Sequence, residues 1–191
     1  MPPHPLTSTP LHFGPFPITS QIFHLTPLTF ALVNLKPLLP GHVLVCPRRV
    51  VPRLSQLSTA EISDLFLTVQ RVSRMIERVY AADALNVAIQ DGVAAGQSVP
   101  HVHAHVIPRS SGDMEARGGG DRVYEMLEGE EGDVGGALRE VERVRRVRER
   151  EGDAEGKRGF AKPDAERLPR SMEEMEEEAR FLAQEMEKEV D

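Results

Sequence analysis

The sequence predicts an α+β fold: an antiparallel β-sheet of about five strands, one long helix packed on it and a second helix at the C-terminus. Three observations predict it. Short apolar runs rich in β-branched and aromatic residues recur up to residue 107. One stretch, 58–80, repeats its apolar residues at helical spacing. The connection between the last two apolar runs is too short for a parallel crossover, so those strands must pair antiparallel.

The elements follow in order. The opening MPPHPLTSTP is proline-rich, and residues 1–11 read as a flexible segment. SQIFHLT and LTFALVN are strand-like, and LTFALVN and HVLVCP flank LKPLLPG, whose prolines and Gly41 read as a hairpin connection. That turn sets His42 at the start of the next strand. In 58–80, Ser58 and Glu61 form a capping box, followed by the stripe Ile62, Leu65, Phe66, Val69, Val72, Met75 and Val79. ALNVAIQD and HVHAHVI alternate as strands, joined by the glycine-containing loop GVAAGQSVP. Residues 128–168 are dense in Arg, Glu and Gly and read as a charged linker with partial helix. In 169–191, Ser171 and Glu174 form a second capping box, with Met172, Met175, Ala179, Leu182 and Met186 on one narrow stripe.

Charge and composition narrow the function. The 23 basic residues against 30 acidic ones give a net −7, so no basic excess is available for a nucleic-acid backbone, whereas a small anionic substrate is not disfavoured. Residues 1–127 hold 10 basic and 9 acidic side chains and 128–191 hold 13 and 21, which places the chemistry in the first two-thirds. Residues 1–35 carry no charged side chain, yet seven prolines there would break a spanning helix, so no membrane partner is expected. No cation precedes Lys36 to build a signal peptide, and the expected location is the cytosol, with the nucleus open to a chain of this size. The single cysteine, Cys46, excludes an internal disulfide and a cysteine zinc cage, and fits as a small buried hydrophobe.

Three of the seven histidines, His101, His103 and His105, occupy five positions on one predicted strand and therefore one face. Three readings are open. Histidines on a solvent face would waste the packing value of the strand. A metal site would need a further ligand, and no Cys or adjacent Glu supplies it. Nucleophilic catalysis at phosphorus suits an imidazole, which approaches a phosphate without charge repulsion and forms a phosphoramidate that hydrolyses readily. The loop Gly96, Gln97, Ser98 and Val99 can add backbone N–H groups and a hydroxyl, although alone it reads as an ordinary turn.

The whole run QDGVAAGQSVPHVHAHVIPR resembles the histidine triad (HIT) superfamily, and within it the fragile histidine triad branch of dinucleoside polyphosphate hydrolases. FALVNLKPLLPGHVLVCPRRVV, the LFLTVQRV helix, DRVYEML and, more loosely, RSMEEMEEEARFL extend the likeness. The insertion at 128–168 departs from it and resembles fungal members more than compact animal ones. The resemblance implies a HIT fold over 12–127, a homodimer and hydrolysis of diadenosine polyphosphates, preferentially the triphosphate to AMP and ADP. In that scheme His103 is the nucleophile that becomes nucleotidylated. His105 hydrogen-bonds the phosphate or bridging oxygen, while His101 and His42 orient the nucleophile from beneath. Asn34 and Gln90 contact ribose or phosphate, Gly96, Gln97, Ser98 and Val99 cradle the phosphates, and Tyr124 sits in a loop near the second nucleoside. Mg2+ or Mn2+ is expected on the substrate phosphates, with no tightly held protein metal. The rival readings are a nucleoside phosphoramidase of the same superfamily and a nucleotide-sensing signalling protein with incidental turnover. Asn34 also fits as a strand-ending residue, Gln90 as a sheet-edge amide and Ser98 as a turn hydroxyl.

Overall fold

The computed structural model describes residues 5–129, 133, 135–136, 138–143 and 170–189. A small ribbon of β1 (His12–Phe13) and β2 (Phe16–Pro17) precedes a five-stranded sheet of β3 (Ile22–Leu25), β4 (Thr29–Val33), β5 (Val43–Pro47), β6 (Ala84–Ile89) and β7 (Ala104–Arg109). Its order is β3-β4-β5-β7-β6, and every neighbouring pair is antiparallel. The strands that run through the middle, β4 and β5, are buried at every position, as continuous apolar runs such as TFALV and VLVCP require. The hairpin between them turns at Gly41, whose φ is +82° and whose missing Cβ would sit 2.6 Å from the Tyr80 ring. Only glycine meets both demands.

Helix α1 (Thr59–Tyr80) lies against β4, β5 and β7. Its capping box forms as read: the Glu61 N–H donates to the Ser58 hydroxyl at 3.3 Å and the Ser58 N–H to the Glu61 carboxylate at 2.8 Å. Leu65, Val69, Val72, Met75 and Ile76 enter the core, whereas Phe66, expected on the buried stripe, is exposed. A short helix α2 (Arg122–Glu128) packs Val123, Met126 and Leu127 on a second cluster with Leu38, Ile107 and Met114. The terminal helix α3 (Met172–Met186) starts at the Ser171 capping box and covers the outer strand β3. Met175, Ala179, Leu182 and Met186 are buried as expected, each large one contributing roughly 1.5–3 kcal/mol; Met172, the first residue of the helix, is exposed.

The expected linker at 128–168 falls largely outside the described residues, as do residues 1–4 of the expected flexible segment. Its described part does not stand off from the body. Residues 138–143 are helical, Leu138 joins the main core and Val141 packs against it, because two apolar side chains three residues apart on a turn of helix suffice to dock it. Among the described residues no helix is long and apolar enough to cross a membrane.

Candidate active site

The candidate site lies where β5 and β7 pair, and of His42, His101, His103 and His105 only His105 is within a strand. His105 on β7 faces Leu44 of β5 on one side and Ala88 of β6 on the other. The expectation that all three histidines share one strand face needs correction, because β7 begins only at Ala104. Ahead of it the chain leaves the ladder: the His101 N–H donates to the Val99 carbonyl and the Val102 N–H to the Val51 carbonyl, both at 2.7 Å. His103 and His105 still meet, with ring centroids 4.9 Å apart, and His42 reaches His105 at 5.2 Å. His101 turns its ring toward Phe30, and Phe13 lies against both His101 and His103.

The shorter contacts, to backbone groups and between rings, assign the tautomers in turn, and the Asn34 amide nitrogen at 3.3 Å from His42 Nε2 then donates no bond to it. The Leu38 N–H donates to His42 Nδ1 at 3.0 Å, which leaves the proton of His42 on Nε2. That N–H lies 2.9 Å from His105 Nδ1 and donates to it. His105 therefore carries its own proton on Nε2, a buried atom with no partner among the described residues. His103 donates from Nδ1 to the His101 carbonyl at 2.7 Å, so its Nε2 keeps a lone pair. His101 is saturated, accepting from the Gly14 N–H at 3.1 Å and donating to the Pro47 carbonyl at 2.8 Å. Its contribution to His103 is a backbone carbonyl rather than its ring.

Burial keeps the cluster uncharged. It lowers His101 to about 4, against the opposing hydrogen bond to Pro47. Burial also lowers His103, against its bond to the His101 carbonyl, and pushes His105 well below the ordinary range, with His103 and His42 adding to the shift. At neutral pH the cluster thus offers one imidazole lone pair and one neutral N–H donor. Such a pair can form a bond to an electrophilic phosphorus and hold an oxygen beside it.

The surrounding residues depart from expectation in informative ways. Asn34 is fully buried and points inward: its Oδ1 accepts the Lys36 N–H at 3.0 Å and its amide nitrogen lies 3.3 Å from His42 Nε2. These contacts shape the turn beside His42. Gln90 is buried and donates to the Leu127 carbonyl at 3.2 Å; Gly96, at φ +85°, lets that amide pass where a Cβ would collide with it. Gln97, read as a phosphate contact, is buried too, and donates to the Pro52 carbonyl at 2.8 Å. Ser98 accepts the Gly135 N–H at 3.2 Å, while the Val99 side chain is core and only its backbone belongs to the loop. Tyr124 sits on α2, half exposed, its hydroxyl accepting from the Asn86 amide at 3.0 Å. A residue missed by role is Asp91, in the QDG run. It accepts the Leu54 N–H at 2.9 Å and pairs with Arg53 at 3.2 Å, bracing the loop; its place in the motif was the available signal.

Residues 16–112 match the family model described as HIT domain. The chain is 46% identical over 172 residues to the bis(5'-nucleosyl)-tetraphosphatase (asymmetrical) of Schizosaccharomyces pombe, covering 90% of this chain and 92% of that protein. It is 51% identical over 123 residues to the bis(5'-adenosyl)-triphosphatase of Dictyostelium discoideum, covering 64% and 80%. Among solved structures, the Plasmodium falciparum diadenosine triphosphate hydrolase in complex with Cyclomarin A superposes with a TM-score of 0.65 at 26% identity, over 96% of this chain and 89% of that one.

Proposed function

The chain belongs to the HIT domain family, and from that premise we propose that it hydrolyses diadenosine polyphosphates, preferentially P1-P3-bis(5'-adenosyl) triphosphate to AMP and ADP. The observation that carries this reading is the pair of nitrogens left over in the buried cluster: the lone pair on His103 Nε2 and the N–H on His105 Nε2. In the first displacement His103 Nε2 bonds to the α-phosphorus and the bond from that phosphorus to the bridging oxygen breaks. ADP leaves with the electron pair, and the His105 N–H donates a hydrogen bond to the departing oxygen. In the second, a water oxygen bonds to the same phosphorus and the P–N bond breaks. AMP leaves, the water's proton passes to solvent and the lone pair returns to His103. The phosphate chain lies along the backbone of Gly96–Val99 in this reading, with the Gln97 and Asp91 side chains holding the loop in shape rather than touching phosphate.

A second substrate is favoured by one observation: the relative matched over 90% of this chain is named for tetraphosphate hydrolysis. We propose further that Mg2+ or Mn2+ arrives on the substrate phosphates, where it offsets their charge. Both ring nitrogens of His42 and of His101 are already committed to bonds inside the fold, which supports a cation carried by the substrate. A homodimer is the proposed assembly, supported by the exposed Val87 on the outer strand β6 and the exposed Phe66 on α1, and light scattering tests it.

Incubation with diadenosine tri- and tetraphosphate, with AMP-lysine alongside, tests the activity itself. AMP plus ADP from the triphosphate and an acid-labile AMP adduct on the peptide holding His103 are expected. Faster release of lysine from AMP-lysine would shift the reading to a phosphoramidase, and no adduct on His103 would remove the covalent route.

A further inference from the structure

Arg170, immediately before the Ser171 cap of α3, grips the segment that ends β4. Its backbone N–H donates to the Leu35 carbonyl at 3.0 Å. Its Nε and Nη2 both donate to the Asn34 carbonyl, at 3.1 and 2.5 Å. Its Nη1 pairs with Glu178 at 2.5 Å, and Glu178 also accepts the Tyr80 hydroxyl at 2.9 Å. The Tyr80 ring in turn lies over Gly41. Hydrogen bonds from Arg170 at one end, and packing of the Tyr80 ring at the other, therefore flank the turn from Asn34 to His42.

That turn contains the tautomer switch point. The Leu38 N–H inside it donates to His42 Nδ1, and the His42 N–H donates back to the Leu39 carbonyl at 3.1 Å. If Leu38 swings away, nothing compels the His42 proton to sit on Nε2, and His105 loses the donor that holds its own proton on Nε2. We propose that Arg170 is a positioning residue for catalysis, fixing the turn that sets the tautomers of His42 and, through it, of His105. Docking of α3 does not require this arginine, since Met175, Ala179, Leu182 and Met186 bury the helix face. The two-pronged grip on a single buried carbonyl is a geometry that lysine reproduces only in part.

The inference rests on the hydrolase reading in its kinetic arm alone. Arg170→Ala and Arg170→Lys are made in the full chain. Imidazole tautomers are read from long-range proton–nitrogen NMR, and turnover from diadenosine triphosphate hydrolysis. In the unsubstituted protein the His42 and His105 protons should both be on Nε2. In Arg170→Ala the His105 signal should move to a tautomer mixture and kcat should fall at least about tenfold, with KM changed less than about threefold, since the donated bond strengthens as the leaving oxygen gains charge. Arg170→Lys should recover part of both. Unchanged His105 signals in folded Arg170→Ala, or a fall in kcat without a tautomer change, would overturn the proposal. Where Arg170→Ala does not fold, Arg170→Lys decides by the same criteria. If the unsubstituted protein hydrolyses nothing, the hydrolase reading fails and the NMR arm still decides the positioning role.

Discussion

The histidine cluster under the sheet's centre and the Arg–Glu belt between α1 and α3 both join segments far apart in the chain with titratable side chains. They are built on opposite terms. His101, His103 and His105 are at most 2% exposed, uncharged, and bonded so that each ring nitrogen has one defined role. In the belt, Arg78 bonds Glu185 at 2.6 Å and Glu189 at 2.7 Å, and Lys188 bonds Glu185 at 2.5 Å, but the Arg78 side chain is 43% exposed. Water replaces any lost partner there. Inside the cluster a lost partner leaves a buried donor or acceptor bare, which costs far more than the bond contributed. The cluster therefore sets geometry, while the belt decorates a helix that its apolar face already holds.

Four measurements press on that contrast, beginning with the largest expected effect. His103→Asn keeps shape and polarity but has no lone pair to form a P–N bond; turnover should fall at least about 1000-fold while diadenosine triphosphate binding stays within about tenfold. More than a few per cent residual activity would break the catalytic half of the comparison. The next is acid lability. The unfolded chain takes up a proton at the ordinary imidazole value of 6.5, whereas burial holds folded His101 near 4. The stability is complete above about 6.5 and is lost as the pH falls toward 4, by on the order of 3 kcal/mol for this residue. His103 and His105 shift in the same direction and add to the loss. The Glu61 carboxyl, lowered from 4.5 to about 2 by its bond to Arg49, adds its own loss only below about 4.5, at the acid edge of this window. Melting curves between about pH 7 and about pH 4 measure it, and a flat Tm would mean the cluster is not dry.

Leu138→Ala comes third. A linker would not notice it, but a side chain in the main core should cost about 2 kcal/mol with kcat unchanged. Denaturant titration separates the two. The smallest effect belongs to the belt: Arg78→Ala should leave both Tm and turnover indistinguishable from the unsubstituted protein at moderate salt, since exposed ion pairs are screened. A clear drop in Tm there would show that the belt, too, holds the fold.

The parts legible in the sequence are those written in neighbouring residues. Ser58 with Glu61 and Ser171 with Glu174 start α1 and α3 as read, because a capping box closes within one turn. The hairpin through Gly41 and the antiparallel pairing of β6 with β7 follow from turn residues and from connection length. The spacing of His101, His103 and His105 named the candidate site. Their shared strand was not legible, since the hydrogen bond from the Val102 N–H to the carbonyl of Val51, far earlier in the chain, takes the first two out of the ladder. The resemblance assigns Asn34 and Gln97 to the substrate, and the N–H of Lys36 and the carbonyl of Pro52 that engage their side chains are visible only once the chain has folded.

The α+β class, the two capped helices and the candidate imidazoles were all readable from the order of the residues. The tertiary structure alone decided which nitrogen of each imidazole carries the proton. Residue type supplies the ring, but its tautomer is a competition among hydrogen-bond partners at Gly14, Leu38, Pro47 and the His101 carbonyl. Those partners are brought within 3.1 Å only by the packing of strands and turns around a core that excludes water.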